Sequence, residues 1–332
     1  MRSSSAYGSD LGLTRSRQIV RTFYKTANQF GFTFNWAYVS RKKTAYFSSA
    51  YLPIRPKGLD RRLPTLGTGQ YEWKGFLKAS KHPHATTGPG GLLLNWNNRS
   101  APGFMHGDDE PYGSVQRVEM FNRFPAAVQI TDDVGIMNRA ATQDVRSPVW
   151  PIVSRVLHAG TAPTPRDQQV VDILDDWVSH DAPRLDADAD TFYDDPGPVI
   201  MDALWRPIAN EVMSSVFGAL LPDLDNVRNL GGLEGESYVD KDLRTLLGDP
   251  VVGRFNLSYC GSGSLPVCSA SLWQVVHDTA DALAAQQGQV DPSMWRKAAS
   301  TTGFVPGLLP NRFPTTNRPT FQQVLEFDRQ GR

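Results

Sequence analysis

The period of the apolar residues changes along this chain, and that change limits the folds open to it. Ile19, Phe23, Ala27 and Phe30 recur at near-helical spacing, which predicts an amphipathic helix over 16–30. From Phe32 the period drops to two. Phe32, Phe34, Trp36 and Tyr38 alternate with smaller or polar residues, the pattern of a strand. A second strand near Thr44 to Tyr51 is expected to pair with it across a solvated basic turn, Arg41-Lys42-Lys43. Pro53, Pro56, Gly58, Pro64 and Gly67 rule out regular structure between Leu52 and Thr68. A short aromatic strand is expected near Tyr71 to Phe76, and the continuous apolar run from Gly91 to Trp96 suits a buried strand.

Beyond Ser114 the spacing becomes helical. Ser114 is placed to cap a helix running to about Phe124. Thr131 with Asp132 and Asp133 puts a cap and negative charge at the positive end of another. Further helices are predicted over Val149 to Ala159, Thr164 to Val178, Val199 to Phe217 and Ser269 to Gln286. Arg318 to Phe327 has the aromatic and β-branched character of a terminal strand. Strands followed by helices predict an α+β fold. With no repeat and no linker in view, residues 1–332 read as a single domain: strand-rich over 31–98, mainly helical over 114–300, with a terminal strand at about 318–327.

Charge and hydropathy exclude several functions. The 34 basic and 34 acidic residues cancel, so there is no long-range field to steer nucleic acid or an acidic membrane. No apolar run approaches the roughly 20 residues that span a bilayer. The start, M-R-S-S-S-A-Y-G-S-D, has no apolar segment of the kind a signal peptide carries. The two cysteines lie in C-G-S-G-S-L-P-V-C, Cys260 to Cys268, where glycines and a proline let the chain fold back. They read either as a short-loop disulfide or as two buried thiols. A disulfide implies an oxidising compartment.

Three groups of polar residues stand out. Asn97 sits just past the expected buried strand, where asparagine is commonly a turn former. In such a place its amide N–H can also face a developing oxyanion. Arg117, in S-V-Q-R-V, lies in an apolar context and so requires a partner for its charge. Asp108 and Asp109 offer hard oxygen atoms of the kind calcium takes. Other signals fail. Asp186, Asp188 and Asp190 begin like an EF-hand loop, but Thr191 and Gly197 replace the required glycine and glutamate, leaving a solvated acidic linker. Ser40-Arg41-Lys42-Lys43 matches S-x-x-K without the accompanying S-D-N or K-T-G. His82 and His84 form H-x-H with no third zinc ligand nearby.

The most informative stretch is a series of blocks between Gly67 and Val118. It runs G-T-G-Q-Y-E-W-K-G-F, H-P-H, G-L-L-L-N-W-N-N, G-D-D and Y-G-S-V-Q-R-V. In this order and spacing the blocks resemble the β-chain of the penicillin acylase family. The resemblance is strongest over about 20–130. It continues through C-G-S-G-S-L-x-x-C, P-G-L-L-P and N-R-P-T-F-Q-Q-V-L-E-F, the last of which looks like that chain's carboxyl terminus.

The resemblance implies an amino-terminal-nucleophile hydrolase with an αββα sandwich, here incomplete, acting on acylated small-molecule amides. Substrates of the family include β-lactam antibiotics, acyl-homoserine lactones and lipopeptides. It assigns Asn97 as the side-chain oxyanion donor and Arg117 as support of the active-site floor. Asp108 matches a calcium ligand and Arg61 a backbone carbonyl ligand, so calcium is expected only in the complete enzyme. The family's serine nucleophile is expected upstream of these blocks. Ser3, Ser4 and Ser5 stand too close to Asn35-Trp36 to take that role. The isolated chain is therefore expected to be inactive and to need an upstream β-segment and an α-chain as partners. A periplasmic or extracellular location is implied. Alternatives are a non-catalytic remnant, one half of a split acylase, or a binding protein using an aromatic cleft around Tyr71, Trp73 and Trp96.

Overall fold

The computed structural model describes residues 18–60, 63–87, 91–96, 98–101, 104, 116–119, 121, 130–223, 235–251, 258–303, 305, 308, 313–314, 325 and 327. Where the sequence reads as one domain, the chain divides into two compact units. One comprises Met1–Tyr112, Pro125–Ile130 and Leu325–Arg332; the other comprises Gly113–Phe124 and Thr131–Val324.

The first unit opens with helix α1, residues 18–27. Of the predicted stripe Ala27 is buried and Phe23 half-buried, whereas Ile19 and Phe30 are 44% and 37% exposed and Val20 is buried instead, so the stripe is offset at its ends. The offset follows from where the helix docks. Phe23 meets Tyr38 and Tyr24 meets Phe47, each with ring centroids 5.6 Å apart.

Strands β1 (Phe34–Ser40) and β2 (Lys43–Ser49) pair antiparallel from Phe34 opposite Ser49 to Ser40 opposite Lys43. The basic turn is thus reduced to Arg41-Lys42. Strand β3 (His84–Thr87), which sequence periodicity did not indicate, pairs with β2 and completes the order β1-β2-β3. Its two threonines suit a pleated, half-covered surface.

Two expected strands do not form. Around Tyr71 to Phe76 pairing is confined to the end of the run, where one bridge joins Phe76 to Pro53. There the Ile54 N–H donates to the Gly75 carbonyl and the Lys74 N–H to the Ile54 carbonyl, each at 2.8 Å, and the Leu77 N–H donates to the Leu52 carbonyl at 2.9 Å. Gly69 and Gly75 take positive φ of 87° and 103°, conformations that interrupt a regular ladder. Residues 91–96 have no regular structure, and Leu92 is 58% exposed, so the run is not the buried strand its composition suggested.

The second unit carries α2 (Gln116–Glu119), α3 (Ile130–Thr142), α4 (Trp150–Leu157), α5 (Pro165–Ser179), α6 (Gly197–Phe217), α7 (Gly235–Leu246) and α8 (Leu265–Gln287). Two short strands, β4 (Thr301–Thr302) and β5 (Phe313–Pro314), pair antiparallel. The expected terminal strand at 318–327 lies outside the described residues except for 325 and 327, which are not in a strand, and α7 was not foreseen. Ser114 also lies outside them. Thr131 stands inside the first turn of α3, not at its cap. Thr164 does cap α5, its hydroxyl accepting from the Asp167 N–H at 3.2 Å.

Helices α4 to α8 enclose one core. Trp150, Trp177, Trp205, Trp273 and Trp295 are fully buried in it, with Leu174, Ile200, Met201 and Leu204. A buried indole usually finds a partner for its N–H, and of these five only Trp205 has none among the described residues. Trp273 donates to the Leu157 carbonyl at 2.8 Å, Trp177 to the Pro183 carbonyl at 3.0 Å and Trp150 to Asp175 at 2.7 Å. Gly197 opens α6 because a Cβ there would fall 2.3 Å from the Trp177 ring.

Cys260 and Cys268 are joined in a disulfide with Cα atoms 5.1 Å apart, which decides between the two sequence readings. Gly261 lies in the loop at φ 57°, where a Cβ would strike the Cys268 backbone nitrogen. Buried Asp242 of α7 holds this loop by accepting from the Tyr259 N–H and, at 3.0 Å, from the Cys260 N–H. Burial pushes the Asp242 carboxyl up despite those bonds.

Candidate functional site

Of the residues expected to do chemistry, Asn97, Asp108 and Arg61 lie outside the described residues. Arg117 falls on α2, and its side chain lies outside them too. What the structure does show is how the flanks of Asn97 are held. Trp96 is 8% exposed and anchors the segment. The Asn98 side-chain oxygen accepts from the Trp96 N–H at 2.9 Å, which turns the chain locally. Asn95 accepts from the Asn35 amide of β1 at 2.9 Å. A segment without regular structure is thus fixed to the sheet through side chains.

The H-P-H block is structural. His82 is buried and stacks on Phe47 with ring centroids 5.5 Å apart. Its Nδ1 lies 3.0 Å from the Ser48 carbonyl and its Nε2 3.3 Å from that of Leu77. His84 Nδ1 lies 2.7 Å from the His82 carbonyl. With both His82 nitrogens engaged, a zinc role has no support here. A groove of about 810 Å³ opens beside α1, lined by Arg21, Thr22, Tyr24, Lys25 and His84 among others.

The expected aromatic cleft does not assemble as an exposed set. Trp73 is 58% exposed, edge-on to Phe76 with Arg55 over its ring at 5.9 Å, whereas Trp96 is buried.

In the second unit the acidic loop behaves differently from an EF-hand. Asp186, Asp188 and Asp194 bring carboxylate oxygens within 4.8 Å of one another, while Asp190 pairs with Arg296. Asp194 also accepts from the Ala187 N–H at 3.0 Å. The approach of Asp194 was not legible in the spacing, because the loop doubles back through positive φ at Ala189 and Thr191.

The strongest electrostatic cluster escaped sequence reasoning altogether. Arg146 grips Asp144 through Nε at 2.8 Å and Nη2 at 2.6 Å and reaches Asp202 at 2.5 Å. Arg184 bonds Asp144 at 2.8 Å and Asp202 at 2.5 Å, and Lys297 meets Asp202 at 2.5 Å. Burial works to raise the Asp144 carboxyl, but the two guanidiniums overcome it and hold it well below the usual carboxylate range. The same balance lowers Asp202 to about 2. Every charge in the cluster is paired, so its chemistry is structural.

A model of the penicillin amidase family matches residues 9–320. Among curated proteins, penicillin G acylase of Escherichia coli is 24% identical over 208 residues, covering 61% of this chain and 24% of that protein. Among solved structures, a thermostable penicillin G acylase from Alcaligenes faecalis superposes with a TM-score of 0.65 at 20% identity, covering 90% of this chain and 57% of that one. The chain therefore shares that fold while spanning about a quarter of the curated relative and little more than half of the solved chain.

Proposed function

The chain belongs to the penicillin amidase family, and from that premise we propose that residues 1–332 are the oxyanion-donor part of an enzyme that hydrolyses linear amide bonds. The observation that carries the reading is the family match across 9–320 with N-W-N-N in place at 95–98. In this reading an amino-terminal serine, supplied by sequence upstream of residue 1, attacks the amide carbonyl. Its own α-amine takes the hydroxyl proton. The side-chain N–H of Asn97 donates to the oxyanion that forms, and Arg117 supports the site floor. The protonated α-amine returns that proton to the departing substrate amine, and water then attacks the acyl-serine, releasing the carboxylic acid and restoring the serine hydroxyl.

The substrate is an acylated small molecule: a β-lactam antibiotic, an acyl-homoserine lactone or a lipopeptide. The fold is completed to an αββα sandwich by the upstream β-segment and an α-chain. Calcium belongs to that complete enzyme, with the Asp108 carboxylate as one hard ligand, and no step of the reaction passes through it. A periplasmic or extracellular setting accords with the Cys260–Cys268 disulfide. No helix among the described residues is long and apolar enough to cross a membrane.

The test is hydrolysis of a chromogenic acyl-amide. Residues 1–332 alone are expected to release no chromophore, and adding the nucleophile-bearing segment is expected to restore turnover. In the restored enzyme Asn97→Ala is expected to lower kcat by about 10²–10³-fold. Turnover by residues 1–332 alone would defeat the assignment of the nucleophile. A full-rate Asn97→Ala enzyme would defeat the assignment of the donor. Failure of complementation would leave the non-catalytic remnant as the better reading, whereas success with a separately expressed segment identifies a split acylase. The binding-protein reading is disfavoured by the burial of Trp96.

A further inference from the structure

Asn35 and Tyr46 take no part in the chemistry above, yet they hold the residue two places before Asn97. Both stand on one face of the β1–β2 pair, because Tyr46 lies opposite Ala37 and Asn35 is its diagonal neighbour. The Tyr46 hydroxyl donates to the Asn35 side-chain oxygen at 2.5 Å, and the Asn35 amide donates to the Asn95 side-chain oxygen at 2.9 Å. The bonds run in one direction, so each orients the next. Burial raises the Tyr46 phenol, against the opposing pull of the Ser100 and Ser48 hydroxyls. Downstream, Asn98 closes on the Trp96 N–H at 2.9 Å. The run 91–96 has no regular structure of its own. The Asn35–Asn95 side-chain bond ties it to the sheet.

We infer that Asn35, Tyr46 and Asn95 form a positioning chain that fixes the segment carrying Asn97 and thereby aims its amide. This rests on Asn97 being the oxyanion donor. Although Tyr46 is half-buried, both bonds are exposed to solvent, so each contributes little to global stability. A displacement of the donor by about 1 Å is nevertheless enough to cost on the order of 10²-fold in rate. Position, not folding, is what these bonds control.

Two readouts test this. In residues 1–332, Tyr46→Phe and Asn95→Ala are expected to speed amide hydrogen exchange over 95–98 by about tenfold with Tm unchanged; unchanged exchange overturns the chain. In the complete acylase, Asn35→Ala and Asn95→Ala are each expected to lower kcat by about 10–100-fold with KM nearly constant. The double variant is expected to lose no more than either single variant, since both cut one bond. If Asn97→Ala is inactive while both single variants keep full kcat, the positioning role is overturned and the site assignment stands. If Asn97→Ala keeps full kcat, the site assignment fails and the positioning role falls with it, whatever the exchange data show.

Discussion

At the scale of single residues, the charges that matter most are buried and paired. Removing Asp144 in Asp144→Ala leaves Arg146 and Arg184 sharing Asp202 in a buried setting. Breaking such a pair costs about 3–5 kcal/mol, which predicts a Tm lower by about 6–20 °C; a shift of only a degree or two would show that the cluster is dispensable. The pH dependence follows from the same groups. Asp202 titrates at about 2 in the folded chain, below the roughly 3.9 of an unfolded aspartate. Its contribution is complete above about pH 4 and is lost as pH falls toward 2. His277 works in the opposite sense. The hydrogen bond to Asp167, and then the Asp167 charge, raise it above its ordinary value, with Asp281 adding and burial and Arg166 opposing. Its contribution is complete below about pH 6.5 and is lost as pH rises through the raised value. Urea midpoints measured across pH should therefore fall at both ends, and His277→Ala should remove the upper decline alone. None of this was legible in the sequence. Asp144, Arg184 and Asp202 lie far apart along the chain, and no spacing rule links them.

At the scale of elements, local signals worked where the helix terminus itself supplies the partner. Thr164 followed by Pro165 marks the start of α5 because cap and first-turn geometry are set within four residues. Thr164→Ala should cost about 1 kcal/mol. Gly197→Ala should cost more, about 1–3 kcal/mol, because the new methyl meets the fully buried Trp177 ring. Urea unfolding of the two variants compares them directly, and a smaller loss for Gly197→Ala would mean that α6 shifts to make room. Local signals failed for 71–76 and 91–96. Aromatic and apolar composition describes a strand only if a neighbour supplies a ladder; residues 52–54 pair with no more than the end of the first run, and 91–96 forms no strand among the described residues. The loop Cys260–Cys268 lies between. Its glycines permitted the turn, but only the approach of the two sulfurs showed the bond.

At the scale of the whole molecule, the two units are unequal. Among the described residues, nearly all of the largest fully buried side chains belong to the helical unit, with Phe47 the exception in the sheet unit. Amides of β1 should therefore exchange well before those of α6 and α8, since opening free energy follows buried apolar contact; equal protection would show that the units open together. Strand β1 ends the sheet order among the described residues, with Phe34 and Val39 exposed. Such an edge invites self-association. Phe34→Lys should reduce the light scattering of concentrated residues 1–332, and an unchanged signal would place the sticky surface elsewhere. Sequence by itself determined the α+β order, the main helices and the family, because period and block spacing are written in consecutive residues. It also marked N-W-N-N at 95–98 as the segment of interest. Tertiary structure alone decided which apolar runs have partners, how distant charges meet, and how Asn35 and Tyr46 hold Asn95. Those outcomes depend on contacts between residues far apart in the chain, and no local pattern encodes them.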